Sequence, residues 1–85
     1  MKRKLPRKFQ LPFGKGKITE EVSILCPHWE PTLQLLEFDK GEKALRICYY
    51  HQNRFGRSPL IIDKKDWKRL MKEVNKNKKI REMLK

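Results

Sequence analysis

Apolar and polar residues alternate over three stretches of the chain, and this period of two predicts β-strands. The strands are predicted at residues 18–26, 32–38 and 43–51. The third stretch is the most regular, with Leu, Ile and Tyr on one face and Ala, Arg, Cys and Tyr on the other. Residues 39–42 (Asp-Lys-Gly-Glu) predict a tight hairpin turn before it, because Gly41 can adopt a positive φ.

The second predicted strand does not keep one phase. Leu33 and Leu35 share a face, whereas Leu36 and Phe38 lie on the other. This change of phase predicts a β-bulge near Leu36.

The last third of the chain predicts a short strand and then a helix. A polar loop at residues 52–59 precedes the apolar run at residues 60–62, which predicts a fourth strand. Asp63 is a suitable N-cap, and Asp66 is placed to interact with the positive end of the helix. The helix begins at Lys64 and carries apolar residues at helical spacing. These residues are Trp67, Leu70, Met71 and Val74.

Beyond Val74 the apolar face of this helix rotates. Residues 75–79 are polar, and Ile80 and Leu84 lie on a different face. A kink or a second short helix is therefore predicted near Asn77.

These elements predict an α+β fold of order β-β-β-β-α. The expected structure is a curved, four-stranded antiparallel sheet at residues 18–85, covered by the C-terminal amphipathic helix. Residues 1–17 are basic and contain two prolines and two glycines, so a flexible arm is expected there. A domain of 85 residues buries only about 60% of the surface of its unfolded chain and is marginally stable alone, so oligomerisation is expected.

The net charge of +12 is concentrated at the two ends. Residues 1–17 hold seven Lys or Arg and no acid, whereas residues 18–63 hold five against seven acids. Residues 64–85 hold ten basic residues against three acids. Such an asymmetry favours a polyanionic partner, and nucleic acid is the leading one.

The sequence predicts an intracellular protein, cytoplasmic, nucleoid-associated or nuclear, with reduced thiols. The basic start, Met1 to Lys4, is not followed by the apolar segment of a signal peptide. No apolar run approaches the roughly 20 residues that a membrane span needs. The two cysteines, Cys26 and Cys48, are too few for a disulfide framework.

In its C-terminal part the chain resembles the positive cofactor four family of transcriptional coactivators. The resemblance covers roughly residues 32–85 and depends on an ordered set of features. They are Phe38-Asp39-Lys40-Gly41, the strand Arg46 to Tyr50, Gly56-Arg57, Leu60 to Ile62, and Asp66-Trp67 followed by Leu70, Val74, Ile80 and Leu84.

The resemblance implies a homodimeric, non-enzymatic protein whose curved sheets bind single-stranded DNA. It assigns base stacking to Phe38, Tyr50 and His51, and backbone contacts to Lys40, Lys43 and Arg46. It implies that the helix residues Trp67, Leu70, Val74, Ile80 and Leu84 form the core or the dimer interface. Leu36, Glu37 and Glu42 stand where the family is expected to carry basic residues.

Single-strand binding is also supported by the residue types themselves, because it needs aromatic platforms beside cations. In the loop after the third strand, Arg54, Phe55 and Arg57 add to that mixture. Tyr49 shares a face with Leu45 and Ile47, so it is assigned to the core. The expected role is to handle melted DNA in transcription, replication or repair, with little sequence specificity and no cofactor.

Other functions remain open at this point. A ribosome- or tRNA-associated RNA-binding protein needs the same stacking and charge. Cys26 with His28, and Cys48 with His51, offer zinc-ligand types at spacings that do not fit a zinc finger. The same two histidines could serve a nuclease as acid and base, but no carboxylate cluster accompanies them. A protein-interaction module with solubilising basic ends is the last alternative.

Overall fold

A computed structural model describes residues 3–56 and 62–85. It contains five strands and two helices. The strands are β1 (Arg7–Leu11), β2 (Gly14–Ser23), β3 (Glu30–Phe38), β4 (Lys43–His51) and β5 (Arg54–Phe55). The helices are α1 (Lys64–Lys76) and α2 (Lys78–Met83).

The α+β class and the antiparallel sheet are confirmed. The five strands follow one another as neighbours in the order β1-β2-β3-β4-β5, and the sheet curls into a half-barrel. The three strands predicted between residues 18 and 51 are present as β2, β3 and β4. Most of the strand predicted at residues 60–62 lies outside the described residues, and Ile62 packs on the core without being part of a strand.

The expected flexible arm at residues 1–17 is replaced by strand structure from Arg7 onward. β1 pairs with β2 from Arg7 opposite Ile18 to Leu11 opposite Gly14. The reason is local alternation: Phe9 and Leu11 project to the same side of β1, where Phe9 is buried. The prediction of an arm gave too much weight to the charge of this segment.

The predicted bulge also lies on a different strand. β3 pairs with β4 in continuous register, so Leu36 continues the alternation of β3. The register shift is in β2, between Ile18 and Glu20, which pair with Leu36 and Leu35. β3 has apolar residues on both faces because both faces are buried.

Two tight turns join β3, β4 and β5. Gly41 adopts a φ of 101°, and its N–H donates to the carbonyl of Phe38, as in a three-residue hairpin loop. Between β4 and β5, Gln52 and Asn53 both have positive φ, of 51° and 66°. This pattern matches a type I′ turn and makes the predicted polar loop shorter than expected.

The helix boundaries follow the predicted caps. The Asp63 side chain accepts a hydrogen bond from the N–H of Asp66 at 2.8 Å, which starts α1. Asn77 ends α1 and starts α2, where its Oδ1 accepts from the N–H of Ile80 at 3.0 Å. The predicted break near Asn77 is confirmed.

Among the described residues, no helix has the length and apolarity to span a bilayer.

The helices cover one side of the sheet, here called the helix face. Its buried core consists of Ile24, Leu33, Leu35, Leu70, Val74 and Ile80. The opposite side, the open face, carries a second apolar cluster of Phe9, Ile18 and Leu36. Because side chains alternate along a strand, this second cluster and the even-numbered residues of β3 and β4 share the open face.

Candidate nucleic-acid interface

The open face contains a buried polar network at the end of the sheet near the start of the chain. Arg3 makes two hydrogen bonds to Glu30, at 2.9 and 3.1 Å, and one to Glu21 at 3.2 Å. The amide nitrogen of Gln34, a fully buried residue, donates to Glu21 at 2.7 Å and to the Tyr50 hydroxyl at 2.8 Å. Arg3 is therefore tied to the sheet by charge-assisted bonds.

The same network controls the ionisation of Glu30. Burial alone would raise the pKa of this carboxyl, but the hydrogen bonds from Arg3 and Ser23 hold the pKa below its ordinary value of 4.5. The Ser23 hydroxyl donates to Glu30 at 2.6 Å. Glu30 is thus a buried carboxylate that stays charged at neutral pH.

A continuous line of aromatic rings and guanidinium groups crosses the open face, and we call it the aromatic strip. In order, its members are Phe13, Phe38, Phe9, Arg46, Phe55, Tyr50 and Arg3. Rings and cations in such contact attract each other through the ring quadrupole.

At the end of the strip beside the β1–β2 and β3–β4 turns, here called the turn end, three phenylalanines meet. Phe9 and Phe38 contact edge to face with their centroids 5.1 Å apart. Phe13 lies 6.2 Å from Phe38 at an interplanar angle of 34°. Phe13 is 80% exposed, so its ring is available to a ligand.

At the other end, two arginines flank a pair of rings. The guanidinium of Arg46 lies 4.8 Å from the centroid of Phe55, and its Nε donates to Gln34 at 2.8 Å. Phe55 meets Tyr50 at 5.7 Å, and the Arg3 guanidinium covers the Tyr50 ring at 3.8 Å. Phe55 is 47% exposed, whereas Tyr50 is buried.

The predicted stacking residues therefore occupy different environments. Phe38 is half-buried and reaches the turn end, but the Tyr50 ring is occupied by Arg3. His51 is exposed, with Nδ1 in hydrogen-bond contact with the carbonyl of His28. Phe55 is the ring at this end that has an accessible face.

The predicted cations divide in a similar way. Lys40 and Lys43 are exposed at the turn end, Arg54 is exposed in β5, and Arg46 is half-buried within the strip. Arg57 lies outside the described residues. The structure thus places most of the predicted residues along β4 and its two flanking turns, but only the two ends of this track reach solvent.

The five helix residues predicted for the core or the dimer interface divide into two groups. Leu70, Val74 and Ile80 are at most 1% exposed, and they pack against the chain's own sheet. Trp67 is 39% exposed and Leu84 is 53% exposed, so these two lie outside that core.

The two cysteines of the cysteine–histidine pairs lie on opposite faces of the sheet. Cys26 packs against the core of the helix face, whereas Cys48 is buried on the open face, where burial raises its pKa to about 11. Within residues 3–56 and 62–85, no three His, Cys, Asp or Glu side chains group in a way that could hold a metal ion.

Three members of the strip were not predicted from the sequence: Arg3, Phe9 and Phe13. The alternation of Phe9 and Leu11 was a usable signal for a strand, and Pro12-Phe13-Gly14 was a usable signal for a turn. Arg3 had no local signal, because its partners are 18 and 27 residues away.

Comparison with known proteins adds no assignment, since no family model, no curated protein and no solved structure matches the chain.

Proposed function

We propose that the chain binds single strands of nucleic acid, DNA in preference to RNA, through the exposed ends of the aromatic strip and the cations beside them. The role is binding without turnover, on melted DNA in transcription, replication or repair. The observation that carries the proposal is the strip itself, in which five rings and two guanidinium groups form one line of contacts across one sheet face.

The chemistry of the two exposed ends fits this ligand. Phe13 and Phe55 offer aromatic surface to bases, and stacking is worth about 1–3 kcal/mol per base. Lys40 and Lys43 at one end and Arg54 at the other form no ion pair within the described part of the chain, so they can neutralise phosphates. Stacking is sequence-tolerant, which suits a ligand without a fixed sequence.

The two ends set a minimum ligand length. From Lys43 to His51, β4 rises by about 27 Å at ~3.4 Å per residue. A short oligonucleotide can reach one end only. A longer one can bind both ends, and once the first end is bound, the second binding step is intramolecular and takes place at a high effective concentration. Affinity is therefore expected to rise steeply with oligo-dT length until the ligand spans both ends.

A homodimer is part of the proposal. Because α1 and α2 bury Leu70, Val74 and Ile80 within the chain, a second copy is expected to use the exposed apolar residues of the helices, Trp67 and Leu84. Light scattering coupled to size-exclusion chromatography tests this. A monomer at concentrations where oligonucleotides bind would contradict it.

The decisive experiment is a competition titration of single-stranded DNA, duplex DNA and RNA over a salt series. The single strand should bind most tightly, and the logarithm of affinity should fall with log[salt] by about 0.7 per phosphate contact. Tighter binding of duplex would refute the proposal, and tighter binding of RNA would move it to the RNA-binding alternative.

A matched pair of variants locates the site. Phe55→Ala should weaken oligo-dT binding at least about fivefold, which corresponds to the loss of one stacked base. Ile47→Thr removes apolar surface from the opposite face of β4, where Ile47 is 50% exposed, and should leave affinity unchanged. Equal effects of the two variants would show that the strip does not contact the ligand.

A further inference from the structure

The turn end of the sheet displays an unusually exposed aromatic side chain. Phe13 stands at the tip of the β1–β2 hairpin and is 80% exposed, although Phe38 lies beside it. Gly14 permits this arrangement, because a Cβ there would lie 2.9 Å from the Phe38 ring. The hairpin is therefore built to bring one ring close to the other while leaving the first ring open to solvent.

The two turns at this end are held together by the backbone. The N–H of Asp39 donates to the carbonyl of Lys15 at 3.0 Å, which links the β3–β4 turn to β2. Phe38 is held from behind by its edge-to-face contact with Phe9. One ring of the pair is thus fixed in the sheet, and the other projects from a turn.

A groove of about 570 Å³ opens beside this ring pair. Its volume is in the range of small-molecule sites. It is lined by Phe13, Gly14, Lys15, Phe38, Asp39, Lys40, Glu42, Lys43 and Ala44. The three lysines form no ion pair within residues 3–56 and 62–85, although Asp39 and Glu42 share the groove with them.

We infer that this groove is a subsite for one nucleobase of a bound single strand, which stacks between Phe13 and Phe38, with Lys15, Lys40 and Lys43 on the flanking phosphates. The inference rests on the proposed function and adds a subsite of defined chemistry to it. Any base can occupy such a subsite, because every base presents a π-face.

The geometry requires a small movement of one ring. A base between two rings needs them about 7 Å apart, twice the ~3.5 Å contact distance of carbon atoms. The rings now lie 6.2 Å apart and 34° from parallel. Phe13 can swing outward at the hairpin tip, whereas Phe38 stays against Phe9, so the pair opens as a clamp on one side only.

The test compares Phe13→Ala, Phe13→Leu and Phe13→Trp with the wild type and with Ile47→Thr, using labelled oligo-dT. Phe13→Ala and Phe13→Leu should both weaken binding about 5- to 150-fold, the equivalent of one stacked base. Phe13→Trp should preserve affinity, and Ile47→Thr should not change it. Thermal melting should be the same for all variants, since both positions are at least half exposed.

A second measurement uses the unaltered chain. Oligo-dT containing 5-iodouracil should crosslink to the peptide that carries Phe13 on irradiation, and mass spectrometry identifies the position. If the wild type binds oligo-dT but Phe13→Ala binds equally well, or if Phe13→Leu restores affinity, the clamp is refuted and the proposed function stands. If the wild type binds no single strand, or an unlabelled duplex competes equally well, the proposed function itself fails.

Discussion

Replacing Arg3 by alanine removes the guanidinium that ties the segment before β1 to the open face. In the wild type Arg3 bonds both oxygens of Glu30 and one oxygen of Glu21, and it covers the Tyr50 ring at 3.8 Å. The side chains of Arg3 and Glu30 are 12% and 9% exposed, so the pair is mostly shielded from water. Arg3→Ala therefore leaves a buried carboxylate with the Ser23 hydroxyl as its remaining side-chain donor among the described residues.

The magnitude follows from the cost of an unpaired buried charge. Breaking a buried ion pair by removing one partner costs about 3–5 kcal/mol. The side chains of Arg3 and Glu30 keep some contact with water, so we expect a smaller cost of about 2–3 kcal/mol for Arg3→Ala. For a domain of this size the melting temperature should fall by roughly 10–20 °C.

Urea denaturation and thermal melting measure this loss, with Arg69→Ala as the control. Arg69 is 47% exposed and pairs with Asp66 on the same helix, so its removal should cost less than about 1 kcal/mol. Adding Glu30→Gln to Arg3→Ala should recover part of the loss, because the unpaired charge is then absent. A stability of Arg3→Ala within 0.5 kcal/mol (roughly the limit for ordinary surface changes) of the wild type would refute the reasoning.

The pH dependence of this difference has a fixed sign. The pKa of Glu30 in the folded chain is below its ordinary value of 4.5. The stability that the ionised Glu30 carboxylate contributes is therefore complete above pH 4.5, and it is lost as the pH falls through the lower pKa of the folded chain. The stability difference between wild type and Arg3→Ala should therefore shrink on acidification, whereas a purely apolar role of Arg3 would leave it constant.

Four further predictions concern other parts of the fold. Gly16→Ala should lower the free energy of unfolding, measured by urea denaturation, by at least about 2 kcal/mol, because a Cβ at this position would lie 2.0 Å from a carbonyl oxygen of β3. An unchanged free energy of unfolding would show that the strands can separate there. Cys26, which is half-buried, should react with a thiol reagent at pH 8 well before Cys48, whose pKa burial raises to about 11. Stability should also fall as pH rises from 9 toward 11, and less so in Cys48→Ala, since the unfolded thiol loses its proton first. Gln52→Asn should raise the melting temperature by a few degrees, because Asn tolerates the φ of 51° better than Gln does; a decrease would mean that the Gln52 side chain has a stabilising role.

The elements that sequence predicted well are those with local causes. β3 and β4 follow from alternation within nine residues each, and the start of α1 follows from the Asp63 cap. Asn77 caps two helices at once, and the rotation of the apolar face predicted a break there. Each of these signals is contained in one short stretch of chain, so a single sequence is sufficient to show it.

The elements that sequence missed depend on partners far along the chain. Arg3 and Arg7 are held by carboxylates of β2 and β3, which are 14 to 27 residues away. In the composition of residues 1–17 these arginines are indistinguishable from unpaired cations, and a segment rich in unpaired cations is predicted to be a disordered arm. The burial of Tyr50 was missed for the same reason, a distant partner. The face of β4 that carries Tyr50 was predicted correctly, but the Tyr50 ring on that face is covered by Arg3, which lies far away in the sequence.

The net charge of +12 therefore overstates the attraction that the open face can exert on phosphates. Two of the seven cations in residues 1–17, Arg3 and Arg7, are neutralised inside the fold, and they stabilise the sheet instead of binding a ligand. On β4 and its flanking turns, the exposed cations remain available to bind phosphates. Of these cations, Lys40 and Lys43 lie at the turn end. Because point charges on flexible stems position a ligand poorly, the rings must supply the geometry of binding. In this fold, the arginines hold the strip together, the lysines supply long-range attraction, and the exposed phenylalanines set where a base can rest.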